Sequence, residues 1–123
     1  MFRIILQPMS NPYQPFEDTD ASVTIDHFPF VLGRHESCDY QIDTPHISRW
    51  HCCFSEVSGQ AWLRDLESRN GTFLNSLRVM APRPVQTGDM LSVGMCLFRI
   101  YIQCRVPPPG LEAQPSPGVT GKS

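Results

Sequence analysis

Apolar and polar positions alternate along much of this chain with a period of two. In FRIIL, residues 2–6, Phe2, Ile4 and Leu6 fall on one side. In SVTID, residues 22–26, Val23 and Ile25 do the same. The longest run, CLFRIYIQC at 96–104, sets Cys96, Phe98, Ile100, Ile102 and Cys104 against Leu97, Arg99, Tyr101 and Gln103. Side chains of a strand point alternately to its two faces, so these runs predict half-buried strands. FPFVLG, YQI, WHCCFSEV, AWLRDL, TFLN, LRVM and MLSVG extend the set, separated by turn signals at Ser58-Gly59, Asn70-Gly71 and Thr87-Gly88-Asp89. Asn70-Gly71 suits a tight type I′ hairpin, because both residues tolerate positive φ. No segment sustains a helical period with caps. Many short strands with frequent turns predict an all-β sandwich or barrel.

Composition shifts once. The last 17 residues, PPPGLEAQPSPGVTGKS, hold five Pro and three Gly with little apolar bulk. Such a segment buries too little to offset its ordering entropy, so the chain divides into a domain over 1–106 and a Pro/Gly-rich tail over 107–123. A second irregular patch, PMSNPYQPFEDTD at 8–20, lies between strand-like stretches and reads as a loop within the domain. A length of 123 residues suits one domain with its own core.

Charge narrows the function classes. The formal net charge is −2 and the pI about 6.0, against the broad basic footprint of a nucleic-acid binder. Any anion site must therefore be local. No apolar run approaches the ~18 residues of a membrane span. The opening MFRIILQPMS lacks the basic, apolar and small-residue pattern of a signal peptide. With five cysteines, an odd number, free thiols in a cytoplasmic setting are expected.

Three loop sequences carry donors suited to an anion: GRHES from Gly33-Arg34, TPHISRWH at 44–51, and ESRNGT at 67–72. A guanidinium fork matches a phosphate with two parallel hydrogen bonds, and hydroxyls and amides fill the remaining lone pairs. The ordered set of Gly33-Arg34, Ser48-x-x-His51, Asn70-Gly71 and then Gly88-Asp89 resembles the forkhead-associated (FHA) domain. The resemblance runs from about residue 28 to 103, with 1–27 fitting the first two strands.

The resemblance implies a sandwich of two sheets with about eleven strands and binding loops at one end. It implies a non-catalytic module that binds phosphothreonine in partner proteins, downstream of a Ser/Thr kinase, without cofactor, nucleic acid or membrane. By position, Arg34 and Ser48 would contact the phosphate, Arg49 would add a second contact, and Asn70 would bond the peptide main chain. Ser68 and Arg69 would line the same loop, while Gly33, His51 and Gly71 would support the site. His46 stands where some relatives read the residue three beyond the phosphothreonine. The sequence departs from the family at Asn75-Ser76, where a second Asn-Gly is common. A scaffolding domain of the same fold, independent of phosphate, is the alternative.

Rival constellations are weaker. Cys52 and Cys53 are adjacent in a strand and point apart, so with His46 and His51 they do not form a zinc-binding pair spacing. Ser48, His51 and Asp43 or Asp65 lack a nucleophile elbow and an oxyanion hole. The terminal GVTGKS lacks the first glycine of a P-loop. Trp50 and Trp62 are expected in packing, and Arg83 as a solvated charge.

Overall fold

The computed structural model describes residues 2–9 and 22–104. The 107–123 tail, and the 8–20 loop beyond Met9, lie outside the described residues. The described chain forms eleven strands and no helix: β1 Phe2–Met9, β2 Val23–Ile25, β3 Phe30–Gly33, β4 Tyr40–Gln41, β5 Cys52–Val57, β6 Gln60–Asp65, β7 Thr72–Leu74, β8 Leu77–Arg78, β9 Arg83–Pro84, β10 Met90–Val93 and β11 Cys96–Cys104. With no helix, nothing among the described residues is a membrane-spanning helix.

Two sheets face one another. One has the order β2-β1-β11-β10-β7-β8 and the other β4-β3-β5-β6-β9; among the described residues the only parallel pair is β3 with β4. The alternation seen in the sequence decides which faces meet. Ile4, Leu6, Ile25, Phe98, Ile100 and Leu91 of the first sheet pack with Leu32, Phe54 and Leu63 of the second in one core. Each such side chain is almost fully buried, which contributes roughly 1.5–3 kcal/mol of transfer free energy. The inward set of β11 runs out at its end, where Ile102 is half-buried and Cys104 exposed. The five cysteines are all free thiols, and Cys104 alone is exposed.

Three local expectations change. Pro8 and Met9, expected in a loop, continue β1, with Pro8 opposite Phe98 and Met9 opposite Leu97. Arg83, expected as a solvated charge, belongs to β9, which pairs through Arg83 and Pro84 with Leu63 and Trp62. Proline is tolerated there because β9 is an edge strand and needs no second ladder.

The third change concerns Asn70-Gly71. Residues 66–71 connect β6 in one sheet to β7 in the other, so they are a crossing loop and no hairpin. Only Gly71 of the pair has positive φ, at 90°. A two-residue hairpin lies instead at Asn75-Ser76, with φ of 54° and 70° and Leu74 paired to Leu77. Asn75 supports the αL conformation by accepting from Met90 N at 2.9 Å and donating to Asp89 Oδ1 at 3.0 Å.

Candidate functional site

Three loops meet beside the ends of β3 and β5: 34–39 after β3, 42–51 before β5, and 66–71 after β6. Their meeting point depends on Gly33. A Cβ at Gly33 would strike the carbonyl of Arg49 and approach Cys38 Sγ at 2.8 Å, so only glycine lets the strand end pass under the 42–51 loop. That contact registers the two backbones. Arg34 N donates to Ser48 O at 2.9 Å, and His35 N to Arg49 O at 3.1 Å.

Buried hydrogen bonds join the loops from below. His51 is fully buried. Its Nδ1 accepts from Ser48 N at 3.1 Å, and its Nε2–H donates to Gly71 O at 2.9 Å. The two partners define the tautomer, since an amide N–H needs an acceptor and a carbonyl a donor. Gly71 N donates in turn to Ser68 Oγ at 3.0 Å. The Ser68 hydroxyl donates to Asp65 Oδ1 at 2.6 Å, and Ser68 N donates to Asp65 Oδ2 at 3.0 Å. Thr72 Oγ1 donates to Asp65 Oδ1 at 2.6 Å. Ser68 is 7% exposed and both its hydroxyl roles are filled, so it braces the loop from inside instead of lining the cleft.

Asp65 anchors this network. Burial alone would raise its carboxyl, but the hydrogen bonds from Ser68 and Thr72 outweigh burial and hold it below its ordinary value. A carboxyl depressed on folding contributes stability above its unfolded value, and that stability is lost as pH falls through the folded value. Asp65→Asn should therefore melt below the wild type at neutral pH, by about 1–3 kcal/mol for the mismatched buried partners. The gap should narrow as both proteins are acidified below the ordinary carboxylate range. Thermal melts across that range check it, and a gap independent of pH would refute the ionised assignment.

Above the network the loops enclose an open cleft of about 630 Å³, lined by Arg34, Pro45, His46, Ile47, Ser48, Arg49, Trp50, Glu67, Arg69 and Asn70. Arg34, Ser48 and Asn70 are each held at one end and open at the other. Arg34 Nε donates to Ile47 O at 3.0 Å, leaving both terminal nitrogens without a partner among the described residues. Ser48 Oγ accepts from Arg69 N at 2.9 Å, which leaves its O–H to donate. Asn70 Nδ2 donates to His46 O at 2.9 Å, leaving its carbonyl oxygen available.

Trp50, expected in packing, instead forms a wall of the cleft at 45% exposure. His35 stacks on it at 4.8 Å between ring centroids, and the Arg49 guanidinium lies 5.6 Å from the indole centroid. A cation near an aromatic face gains about 0.5–1 kcal/mol when exposed, so the indole helps orient Arg49. Glu67 is a charged lining residue with no role expected from the sequence. Its spacing gives no period to read, and only the backbone brings it to the cleft. The structure thus gathers Arg34, Ser48, Arg49, Arg69 and Asn70 on one cleft, with Gly33, His51, Ser68 and Gly71 beneath it.

The family model described as FHA domain matches residues 30–94. The chain belongs to the FHA family. Among curated proteins it is 34% identical over 68 residues to the FHA domain-containing protein PS1 of Arabidopsis thaliana, a match covering 52% of this chain and 5% of that protein. It is 31% identical over 72 residues to the proliferation marker protein Ki-67 of Mus musculus, covering 54% of this chain and 2% of that protein. The chain thus spans a small fraction of either relative.

Solved FHA structures share the fold. One, from a structural and functional study of phosphothreonine-dependent FHA domain interactions, superposes with a TM-score of 0.68 at 20% identity, covering 80% of this chain and 95% of its own. EmbR of Mycobacterium tuberculosis, in complex with a low affinity phosphopeptide, gives 0.70 at 17% identity, covering 85% of this chain and 25% of its own. The kinase-interacting FHA domain of the Arabidopsis kinase associated protein phosphatase gives 0.68 at 18% identity, covering 85% and 97%. All three share the overall fold seen here.

Proposed function

We propose that this FHA domain is a non-catalytic reader of phosphothreonine that recruits phosphorylated partner proteins of a Ser/Thr kinase pathway. The observation that carries this reading is a cleft with three arginines, Arg34, Arg49 and Arg69, and one carboxylate, on a chain of net charge −2. A phosphothreonine brings about −1.5 to −2 charges and three acceptor oxygens. The paired terminal nitrogens of Arg34 offer a planar fork to two of those oxygens, and the Ser48 hydroxyl donates to a third. Arg49 adds charge from the Trp50 side. The free carbonyl of Asn70 accepts from a peptide N–H beside the phosphothreonine.

Most of these groups are already held by the scaffold, so little ordering remains to be done on binding. An affinity near micromolar, about −8 kcal/mol, is expected for an isolated phosphopeptide. Calorimetric titration with matched phosphorylated and unphosphorylated threonine peptides tests the reading. Equal binding of the two would favour a scaffolding domain that does not depend on phosphate.

A second measurement concerns the residue that carries the phosphate. Burying one methyl group contributes about 0.8 kcal/mol, and the branched threonine side chain has less rotational freedom to lose than serine. Phosphothreonine peptides should bind at least about fivefold more tightly than phosphoserine peptides of the same sequence. Equal affinities by fluorescence titration would show that no pocket receives the methyl.

A further inference from the structure

Glu67 is exposed and lines the same cleft as Arg34, Arg49 and Arg69. Its backbone lies in the left-handed region, with φ of 59°. Glycine takes that conformation without steric cost, whereas a residue with a Cβ does not. Its carboxylate accepts no hydrogen bond and makes no ion pair among the described residues, although three guanidiniums line the cleft beside it. The fold therefore has no visible use for this side chain. Strained backbone of this kind gathers at binding sites, where the surrounding structure holds it in place. Asp65 and Ser68 on either side of it supply that hold, through the paired bonds from Ser68 to the Asp65 carboxylate.

A lone carboxylate in a phosphate-binding cleft has a definite electrostatic consequence. It repels the phosphate that the arginines attract, and the repulsion is relieved when the ligand brings its own cation. We propose that Glu67 is a specificity-determining residue that selects phosphothreonine peptides carrying a lysine or arginine beside the phosphothreonine. This rests on the phosphopeptide reading and refines it: the arginines take the phosphate while Glu67 takes a flanking cation. A neighbouring acidic side chain on the peptide would meet the carboxylate and be disfavoured, so the ligand would alternate in charge.

The experiment uses a phosphothreonine peptide with alanine at the flanking positions and a series in which one lysine replaces each alanine in turn. Each also has an unphosphorylated twin. Affinities are measured by fluorescence anisotropy for the wild type, Glu67→Gln and Glu67→Lys. An exposed ion pair is worth a few-fold, so lysine at one position should tighten wild-type binding about threefold over alanine. Glu67→Gln should abolish that gain and bind the all-alanine phosphopeptide at least as tightly as the wild type does. Glu67→Lys should make the lysine peptide the weaker of the two. Melting curves of Glu67→Gln that match the wild type assign the change to the side chain and not to folding.

A lysine gain that persists in Glu67→Gln overturns the proposal, as does the absence of any gain while phosphorylated peptides still bind better than their twins. If phosphorylation makes no difference to any peptide, the phosphopeptide reading itself falls and this inference with it.

Discussion

His51→Ala is expected to lower the melting temperature by roughly 8–16 °C, taking a loss of about 2 kcal/mol and the 4–8 °C per kcal/mol of a domain this size. The ring is fully buried and joins Ser48 N to Gly71 O. Removing it orphans a part-buried amide N–H and a buried carbonyl, and a buried orphan costs about 1–3 kcal/mol. Binding should fall only as a consequence of that loosening. Ser48→Ala should behave in the opposite way. Its hydroxyl is partly exposed and its single recorded bond is from Arg69 N, so its melt should stay within about 4 °C of the wild type. Its affinity for phosphopeptide should nevertheless drop, because the donor aimed into the cleft is gone. Paired melts and titrations on both variants check the two roles. A stable His51→Ala that no longer binds, beside an early-melting Ser48→Ala, would reverse them.

Arg34→Lys should weaken phosphopeptide binding by about 1.5 kcal/mol or more, which is beyond tenfold, although the charge is kept. The side chain is held by Nε donating to Ile47 O, and this leaves its two terminal nitrogens side by side at the cleft. Lysine has a single ammonium. It cannot bond the Ile47 carbonyl and present two coplanar donors at once, so both the aim and the fork are lost. Its melting temperature should stay close to the wild type, because Arg34 is exposed and its backbone bond to Ser48 O is retained. Unchanged affinity by calorimetry would show that the contact is a point charge and not a bidentate fork.

Much of the sandwich is legible in the sequence because its signal is local. Ile4 and Leu6, or Phe98 and Ile100, announce their shared face by spacing alone, and that face is the buried one in the structure. The short edge pairing at Arg83-Pro84 has no such signal: two residues give no period, and proline argues against a strand. Asn75-Ser76 shows the limit of turn rules. Neither residue is glycine, yet both take positive φ, and the bonds from Asn75 to Met90 and Asp89 hold them there. The resemblance marks a turn at this place, but those partners are distant in sequence, so nothing near the turn foretells what holds Ser76 at positive φ.

By itself the sequence determined the class of fold, the inward faces of the long strands and the residue types able to meet an anion, because each depends on neighbours a few positions away. The ordered motifs Gly33-Arg34, Ser48-x-x-His51 and Asn70-Gly71 also marked which loops to watch. Only the tertiary structure decided how those loops use their side chains. Asn70-Gly71 crosses between sheets because β6 and β7 belong to different ones. Ser68 turned inward because Asp65, three residues earlier, takes both its hydroxyl and its amide. Trp50 came to the surface because its strand begins only at Cys52, leaving it on the loop where His35 from a separate loop stacks on it. Glu67 reached the cleft through one residue of left-handed backbone. Each outcome depends on a partner brought close by folding, and sequence distance carries no record of that closeness.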